Sequence, residues 1–132
     1  MQFIYNISIN IIILALQPFR LFSKKLNIFF KDRVSSLDSI EEKIKPNDKS
    51  IWFHVASLGE FEQIKPIVET LKSENDNLKI LISFFSPSGF KSSLNYNIAE
   101  RVYLPLDTKK NAKNFINKIN PNVAVFVKND IW

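Results

Sequence analysis

The segment "SIWFHVASLGEFEQIKPIVETLKSENDNLKILISFF", residues 50 to 85, contains two different apolar patterns in succession. Residues 50 to 56 and 78 to 85 are short runs rich in Ile, Val and Phe, which is typical of buried strands. Between them, residues 59 to 74 contain five apolar residues at spacings of three and four: Phe61, Ile64, Ile67, Val68 and Leu71. That spacing forms one apolar stripe of a helix. A strand, a helix and a second strand in this order predict a right-handed crossover between parallel strands.

The same alternation continues to the end of the chain. A turn with a short helix (86 to 96), a strand (100 to 105), a helix (108 to 119) and a strand (122 to 128) follow one another. The pattern predicts an α/β fold with a Rossmann-like, mostly parallel sheet over residues 50–132. Residues 35–49 are polar and end in Pro-Asn-Asp-Lys, so they are interpreted as a linker with one helical turn.

The N-terminal segment, residues 1–34, has a different character. Its first nineteen residues carry no charged side chain. A helix of about this length is needed to cross a hydrocarbon core of roughly 30 Å. Pro18, however, breaks or kinks a helix near the end of this stretch. Five basic residues and one acidic residue follow between Arg20 and Val34. A cleavable signal peptide has its positive charges before the apolar run, the opposite order.

We therefore interpret residues 1–34 as an N-terminal membrane-anchor helix with basic flank, either spanning the bilayer or lying in its interface. The basic residues favour an N-terminus outside and a chain that is cytoplasmic from Arg20 onward. The alternative is an apolar helix packed on the rest of the domain.

Composition excludes several classes of function. The chain has no cysteine and only His54, so thiolate chemistry and histidine-rich metal sites are excluded. The net charge of +5 is concentrated between residues 20 and 34, and the remainder is nearly neutral. Nucleic acid is therefore disfavoured as a partner, because a binding face of the module itself would be basic.

Ligands of open α/β sheets collect at the carboxyl ends of the strands, where loops turn into helices. Three stretches qualify here: 56 to 60, 86 to 89 and 128 to 132. The first two contain both glycines of the protein. Glycine at such a turn permits backbone angles closed to other residues and close approach of a ligand. Free amides and hydroxyls there suit an anionic or polyhydroxylated ligand.

Within these stretches, the local pattern leaves two interpretations open. Ser57 is the expected N-cap of the helix, and Glu60 three residues later completes a capping box or interacts with the helix dipole. Glu60 is otherwise a general base at the rim of a cleft. His54 is expected to be buried and hydrogen-bonded. The set Ser86, Ser88 and Gly89 either forms a turn and cap or holds a carboxylate or phosphate.

The order of several motifs resembles that of one family. "IWFHVASLGEFEQIKPIVETL", "ILISFFSPSGF", "VYLPLD" and "PNVAVFVKNDIW" are similar to the N-terminal domain of the bacterial 3-deoxy-D-manno-octulosonic acid (Kdo) transferases, and the His-x-x-Ser-x-Gly-Glu motif at residues 54 to 60 is the most specific part. The resemblance implies an inverting glycosyltransferase with two Rossmann-like domains, the GT-B type. It also implies transfer of Kdo from CMP-Kdo to the lipid A precursor in lipopolysaccharide biosynthesis, at the cytoplasmic face of the inner membrane.

The resemblance assigns roles to matching residues. It makes Glu60 the catalytic base, with Ser57 and Gly59 shaping its loop. It places the loop with Ser86, Ser88 and Gly89 at the interdomain cleft. Asp130 falls where the family has Glu in a Glu-Leu-Trp sequence, so the carboxylate there is shortened.

No metal and no cofactor are implied, since the chain contains no Asp-x-Asp motif. The donor-binding half is absent, so residues 1–132 alone are expected to be inactive. The competing hypothesis is a non-catalytic, membrane-anchored module that binds a phosphorylated lipid or an anionic sugar.

Overall fold

The computed structural model describes residues 2–45 and 48–127. Four helices come first, and strands and helices then alternate as the sequence predicts. The bounds are α1 (Gln2–Leu16), α2 (Phe19–Phe22), α3 (Lys24–Asp38), α4 (Ile40–Lys43), β1 (Ser50–Val55), α5 (Leu58–Glu74), β2 (Lys79–Phe84), α6 (Pro87–Ser92), β3 (Glu100–Tyr103), α7 (Lys109–Ile119) and β4 (Val123–Phe126).

The four strands form one parallel sheet in the order β3-β2-β1-β4. Phe53 of β1 lies opposite Ile82 of β2 and Val125 of β4, which makes β1 and β2 the central strands. This arrangement confirms the predicted α/β class with a parallel sheet. It also brings the carboxyl ends of all four strands to one edge.

Alternating side chains of the central strands supply two separate apolar cores, one on each face of the sheet. Helix α5 covers the first face. The core between the helix and this face contains Phe53, Val55, Phe61, Ile64, Val68, Ile80, Ile82, Phe84 and Ala99. The second face contains Ile40, Ile44, Trp52, Leu81, Val102, Leu104, Phe115 and Ile119. Burial on both faces explains why β1 and β2 are nearly continuous apolar runs.

The second core includes two residues of the segment that was interpreted as a linker. Ile40 and Ile44, in and just after α4, are almost completely buried against the sheet. This segment thus contributes to the folded core, because the side chains of Ile40 and Ile44 pack on one face of the sheet. The sequence underestimates this role since only single apolar residues mark it among polar ones. The domain boundaries themselves stay a prediction.

Helix α3 is tied to the carboxyl edge of the sheet by Arg33. Its Nη2 donates a hydrogen bond of 2.6 Å to the Phe85 carbonyl, and its guanidinium lies 3.5 Å from the ring centroid of Phe29. Burial lowers the pKa of Arg33 to about 10. Ser36 adds a second tie, because its Oγ accepts a hydrogen bond of 2.7 Å from the Tyr103 amide.

The first helix ends at Leu16, two residues before Pro18, as the sequence predicts. Among the described helices, none has the length and hydropathy required to cross a bilayer. One face of α1 lies over the carboxyl ends of the strands, and the phenol of Tyr5 donates a hydrogen bond to the Asp107 carboxylate. The membrane anchor stays a prediction.

Candidate functional site

The turn between β1 and α5 contains the first group of predicted site residues. Ser57 has extended backbone angles and caps α5, and its Oγ accepts a hydrogen bond of 3.4 Å from the Glu60 amide. In return, Oε2 of Glu60 accepts a hydrogen bond of 2.5 Å from the amide of Ala56. Ser57 is therefore confirmed as the N-cap, whereas Glu60 accepts from the residue before the cap and not from the cap residue as in a standard capping box.

Glu60 is buried, with an exposed fraction of 5%. Its carboxylate lies in the first turn of α5, where the helix N-terminus and backbone N–H groups interact favourably with negative charge. Glu60 does not line either of the two cavities that are described below. The observed geometry is thus that of a structural cap, and the assignment of Glu60 as a base stays a prediction.

Gly59 next to Glu60 differs from what the sequence suggests. Neither glycine of the chain has a positive φ, so the expectation that they permit backbone angles closed to other residues is wrong. A Cβ atom built at Gly59 has no heavy atom within 4 Å apart from its chain neighbours and the backbone of its own helix. The surface beside the buried carboxylate is therefore open at this position.

The turn between β2 and α6 contains the second group. Ser86 caps α6, with its Oγ accepting a hydrogen bond of 3.4 Å from the Gly89 amide, and the hydroxyls of Ser86 and Ser88 lie 2.6 Å apart. These contacts match the turn-and-cap interpretation. A Cβ at Gly89 would lie 3.2 Å from Cδ1 of Phe84 and 3.4 Å from the carbonyl carbon of Ser57. Gly89 thus lets the two turns pack directly against each other.

A buried polar group that the sequence analysis missed lies on the central strands. Ser83 Oγ accepts a hydrogen bond of 2.8 Å from Nε1 of Trp52 and is hydrogen-bonded to Nδ1 of His54 at 2.9 Å. This confirms His54 as a buried, hydrogen-bonded residue. The signal was present in the sequence, since His54 and Ser83 are polar residues that lie opposite each other in two buried strands.

An apolar cavity of about 620 Å³ lies between α1 and the carboxyl edge of the sheet. Ile9, Ile13 and Leu16 of α1 form one wall, and Phe29, Phe30 and Leu104 are among the residues of the other. Tyr5, Asp107 and His54 are the polar side chains of its lining. The hydrogen bond to Asp107 and burial raise the pKa of Tyr5. Sequence patterns do not predict this cavity because it depends on where α1 lies.

A second, polar cavity of about 480 Å³ lies beside the edge strand β3. Three serines of α3 and its C-terminal turn line it together with three cations: Ser35, Ser36, Ser39, Lys43, Lys91 and Arg101. Lys43 forms an ion pair of 3.2 Å with Glu100, and Arg101 donates a hydrogen bond to the Ser93 carbonyl.

The remaining predictions concern metals and the last site stretch. In residues 2–45 and 48–127, no three His, Cys, Asp or Glu side chains are grouped so that they could hold a metal ion. Asp130 and the rest of 128–132 lie outside the described residues. Of the three predicted site stretches, the structure brings 56 to 60 and 86 to 89 together through the contact of Gly89 with the backbone of Ser57 and Leu58.

Comparison with known proteins gives one family. A family model described as 3-deoxy-D-manno-octulosonic-acid transferase (Kdo transferase) matches residues 30–132. The chain is 30% identical over 95 residues to a 3-deoxy-D-manno-octulosonic acid transferase of Aquifex aeolicus, covering 70% of this chain and 26% of that protein. It is 29% identical over 90 residues to the protein of that name from Haemophilus influenzae, covering 66% of this chain and 21% of that protein.

A third relative matches nearly the whole chain. This is a bifunctional glycosyltransferase/methyltransferase of Fusobacterium nucleatum, 28% identical over 132 residues, which covers 97% of this chain and 20% of that protein. The chain thus spans about a fifth to a quarter of the length of these curated relatives. No solved structure matches it significantly.

Proposed function

The chain belongs to the 3-deoxy-D-manno-octulosonic-acid transferase (Kdo transferase) family, and on that basis we propose that it forms the acceptor-binding part of a glycosyltransferase. The observation that carries this proposal is the family match, because residues 30–132 include the whole described sheet. In the proposed reaction, Kdo passes from CMP-Kdo to the lipid A precursor during lipopolysaccharide biosynthesis. We expect the nucleotide to contact a second Rossmann-like domain, so that residues 1–132 alone are inactive.

The proposed chemistry is a single displacement. The acceptor hydroxyl oxygen forms a bond to the anomeric carbon of Kdo while the bond to the phosphate oxygen breaks, and cytidine monophosphate leaves with the electron pair. Attack from the face opposite to the leaving group inverts the configuration. Glu60 takes the proton of the hydroxyl, the role of a general base.

Access to Glu60 is the demanding step of this proposal. A base has to come within hydrogen-bond reach of the hydroxyl, and a carboxylate with 5% exposure that accepts the Ala56 amide is shielded from a bulky sugar. The open position at Gly59 supports an approach from that side. The acceptor would then displace or share the hydrogen bond from Ala56, and the N-cap residue Ser57 would hold the start of α5 in place.

The neighbouring turn is proposed to contribute to substrate binding. Ser86 and Ser88 present hydroxyl groups next to the β1–α5 turn, and Gly89 brings the two turns into contact. Hydroxyls at the carboxyl edge of a parallel sheet suit a sugar or its phosphate. Asp130 is proposed for the same edge from the family resemblance.

Docking at the cytoplasmic face of the inner membrane would bring the protein to a lipid acceptor. Helix α1 exposes an apolar stripe of Ile4, Ile7, Ile11 and Leu14, of which Ile4 and Leu14 have exposed fractions of 69% and 73%. Phe19, Leu21 and Phe22 of α2 are also exposed, beside the basic residues Arg20, Lys24, Lys25 and Lys31. An apolar stripe flanked by cations favours a helix lying in the interface, where each basic residue contributes about 1 kcal/mol near anionic lipid.

Replacing Glu60 tests the catalytic assignment. In a polypeptide that joins residues 1–132 to a donor-binding domain, we expect Glu60→Gln to lower turnover of CMP-Kdo with lipid A precursor about 100-fold to 10,000-fold. Glu62→Gln is the matched control, since Glu62 is an exposed glutamate of the same helix turn and pairs only with Lys65 among the described residues. Equal activity of the two variants would exclude Glu60 as the base.

The second candidate is a non-catalytic module that binds a phosphorylated lipid or an anionic sugar. The capping role of Glu60 favours it, because the observed contacts of the carboxylate are explained without chemistry. For such a module, Glu60→Gln would leave lipid binding and its biological effect unchanged, apart from a loss of stability.

A further inference from the structure

The apolar cavity under α1 has the properties of a ligand site. Its volume of about 620 Å³ falls in the range of roughly 300 to 1,000 Å³ that is common for small-molecule sites, and such sites combine apolar walls with a few polar groups. It lies at the carboxyl edge of the sheet but is not lined by Glu60, Ser57 or Gly59. Ala56, which donates a hydrogen bond to Glu60, does line it, so the cavity borders the proposed transfer site without including the proposed base.

The two ends of the cavity differ in charge. At the end formed by the start of α1, the Tyr5 hydroxyl donates a hydrogen bond to the Asp107 carboxylate, and this negative charge disfavours an anion there. At the other end, Leu16, Leu26 and Phe30 line the cavity, and the guanidinium of Arg20 lies 4.9 Å from the centroid of the Phe30 ring. The lining is thus mostly apolar, and Arg20 lies next to one end of it without lining the cavity itself. A second cation, Arg33, lies over the lining rings of Phe29 and Phe85, but its guanidinium donates hydrogen bonds to the carbonyls of these two residues.

Arg20 is held in place but keeps its charge available. Its Nη1 donates a hydrogen bond of 2.8 Å to Gln17 Oε1, and its Nη2 donates one of 3.4 Å to Asn27 Oδ1. Both partners are neutral amides, and over the described part of the chain Arg20 forms no ion pair with a carboxylate. An anionic head group would therefore find an unneutralised guanidinium at this end.

We propose that the cavity binds one long acyl chain of an anionic membrane lipid, with the chain between α1 and the sheet edge and the head group at Arg20. The lipid rather than a free fatty acid is the proposed source, because the exposed Phe19, Leu21 and Phe22 continue the apolar surface from the Arg20 end outward. A chain can then enter from the bilayer without crossing water. This inference rests on the membrane contact proposed above but on neither Glu60 nor transfer.

Binding to the isolated cavity is tested with a soluble probe. We expect dodecyl phosphate, titrated as a monomer into the 132-residue chain, to bind saturably. Ile13→Trp, which fills the cavity, should weaken binding about tenfold or more. Ile11→Trp is the matched control, because Ile11 lies on the exposed face of the same helix, and it should change affinity by less than about twofold. Non-saturable binding, or equal effects of the two variants, would overturn the proposal.

A substitution of Arg20 tests whether the anionic head group lies at its guanidinium. Arg20→Gln should weaken binding of dodecyl phosphate about fivefold while leaving dodecanol unaffected. Lys25→Gln, at an exposed position of the same basic segment, should affect neither ligand. If Arg20→Gln and Lys25→Gln behave alike, the head group does not lie at Arg20.

Photolabelling of the unmodified chain distinguishes the lipid sources and does not depend on any variant folding. Vesicles of phosphatidylglycerol with a diazirine in the acyl chain should label Ile13 or Leu104, which line the cavity. Labels confined to Ile7, Ile11 and Leu14 would mean that the helix only rests on the membrane, and the proposal would fail. Binding of dodecanoate without cavity labelling from vesicles would identify a free fatty acid as ligand and also contradict it.

Discussion

The β1–α5 and β2–α6 turns begin in the same way and end differently. In each, a serine two residues after the strand caps the helix and accepts the amide three residues later, at 3.4 Å in both cases. At Gly89 a Cβ would press on Phe84 and on the backbone of Ser57 and Leu58, whereas at Gly59 it would meet nothing. Gly89 is therefore explained by packing, and Gly59 is not.

The difference indicates which of the two turns has free space next to its glycine. A glycine in the first turn of a helix costs stability relative to alanine. At Gly89 the close approach of the two turns offsets this cost. At Gly59 no close approach within the described residues offsets this cost, so packing does not explain why this position has no side chain.

Enlarging Gly89 should have the greatest effect on stability. Gly89→Leu places a side chain against the buried ring of Phe84 and the backbone of the β1–α5 turn. We expect a loss of about 3 kcal/mol in the free energy of unfolding, measured by urea denaturation, since overpacking a rigid core is destabilising. A loss below that of an ordinary surface substitution would mean that the two turns do not pack as described.

Removing the carboxylate of the first turn should cost less. Glu60→Ala leaves the half-buried Ala56 amide without its acceptor, so we expect a loss of about 2 kcal/mol in the free energy of unfolding. Glu62→Ala, the exposed control, should change stability by no more than about 0.5 kcal/mol. Similar values for both variants would argue against the contact of Glu60 with the Ala56 amide and leave catalysis as the reason for Glu60.

The two capping serines provide a direct comparison of the turns. Ser57→Ala and Ser86→Ala each remove an N-cap acceptor, at an expected cost of about 1 kcal/mol. Thermal unfolding of the two variants side by side would measure it. A neutral Ser57→Ala would show that Glu60 alone holds the start of α5.

Gly59→Ala should raise the stability of the fold, in contrast to the preceding substitutions. The new methyl group meets no neighbour and improves helix propensity, so we expect a gain of about 0.5 to 1 kcal/mol in stability. If an acceptor sugar approaches over this position, activity of the joined polypeptide should fall at the same time. A variant that is both more stable and fully active would remove the support that Gly59 lends to the proposed approach.

The smallest effect concerns Tyr96, which follows α6 in the chain and contacts α5. Tyr96 packs on Phe61 of α5 with ring centroids 5.3 Å apart, and burial, with a smaller contribution from Glu69, raises the pKa of Tyr96 to about 12. Between pH 10 and 12 the unfolded tyrosine loses its proton while the folded one keeps it, so stability falls as pH rises. We expect the fall to be less than about 1 kcal/mol because Tyr96 is partly exposed to screening solvent.

Tyr96→Phe isolates this contribution, since other titrating groups are common to both proteins. The difference in unfolding free energy between wild type and variant should decrease from pH 10 to pH 12. A constant difference over this range would mean that Tyr96 is exposed to water in solution.

Much of the fold follows from local pattern. The alternation from Ser50 to Phe126 predicts four strands and the helices between them. The N-caps Ser57 and Ser86 could be placed because a hydroxyl beside free amides is a local interaction. His54 could be identified as buried because both neighbours in its strand are apolar. These predictions depend on residues a few positions apart.

Other features depend on residues that are far apart in the chain. The burial of Ile40 and Ile44, the packing of Gly89 on the β1–α5 turn and the cavity under α1 all bring together segments separated by long loops or whole elements. The sequence on its own therefore specifies which residues form strands, helices and caps, since these come from short-range hydrogen bonding and periodicity. Whether Glu60 is shielded, which glycine is open and what α1 covers are set by the tertiary structure, because exposure depends on neighbours that only folding supplies.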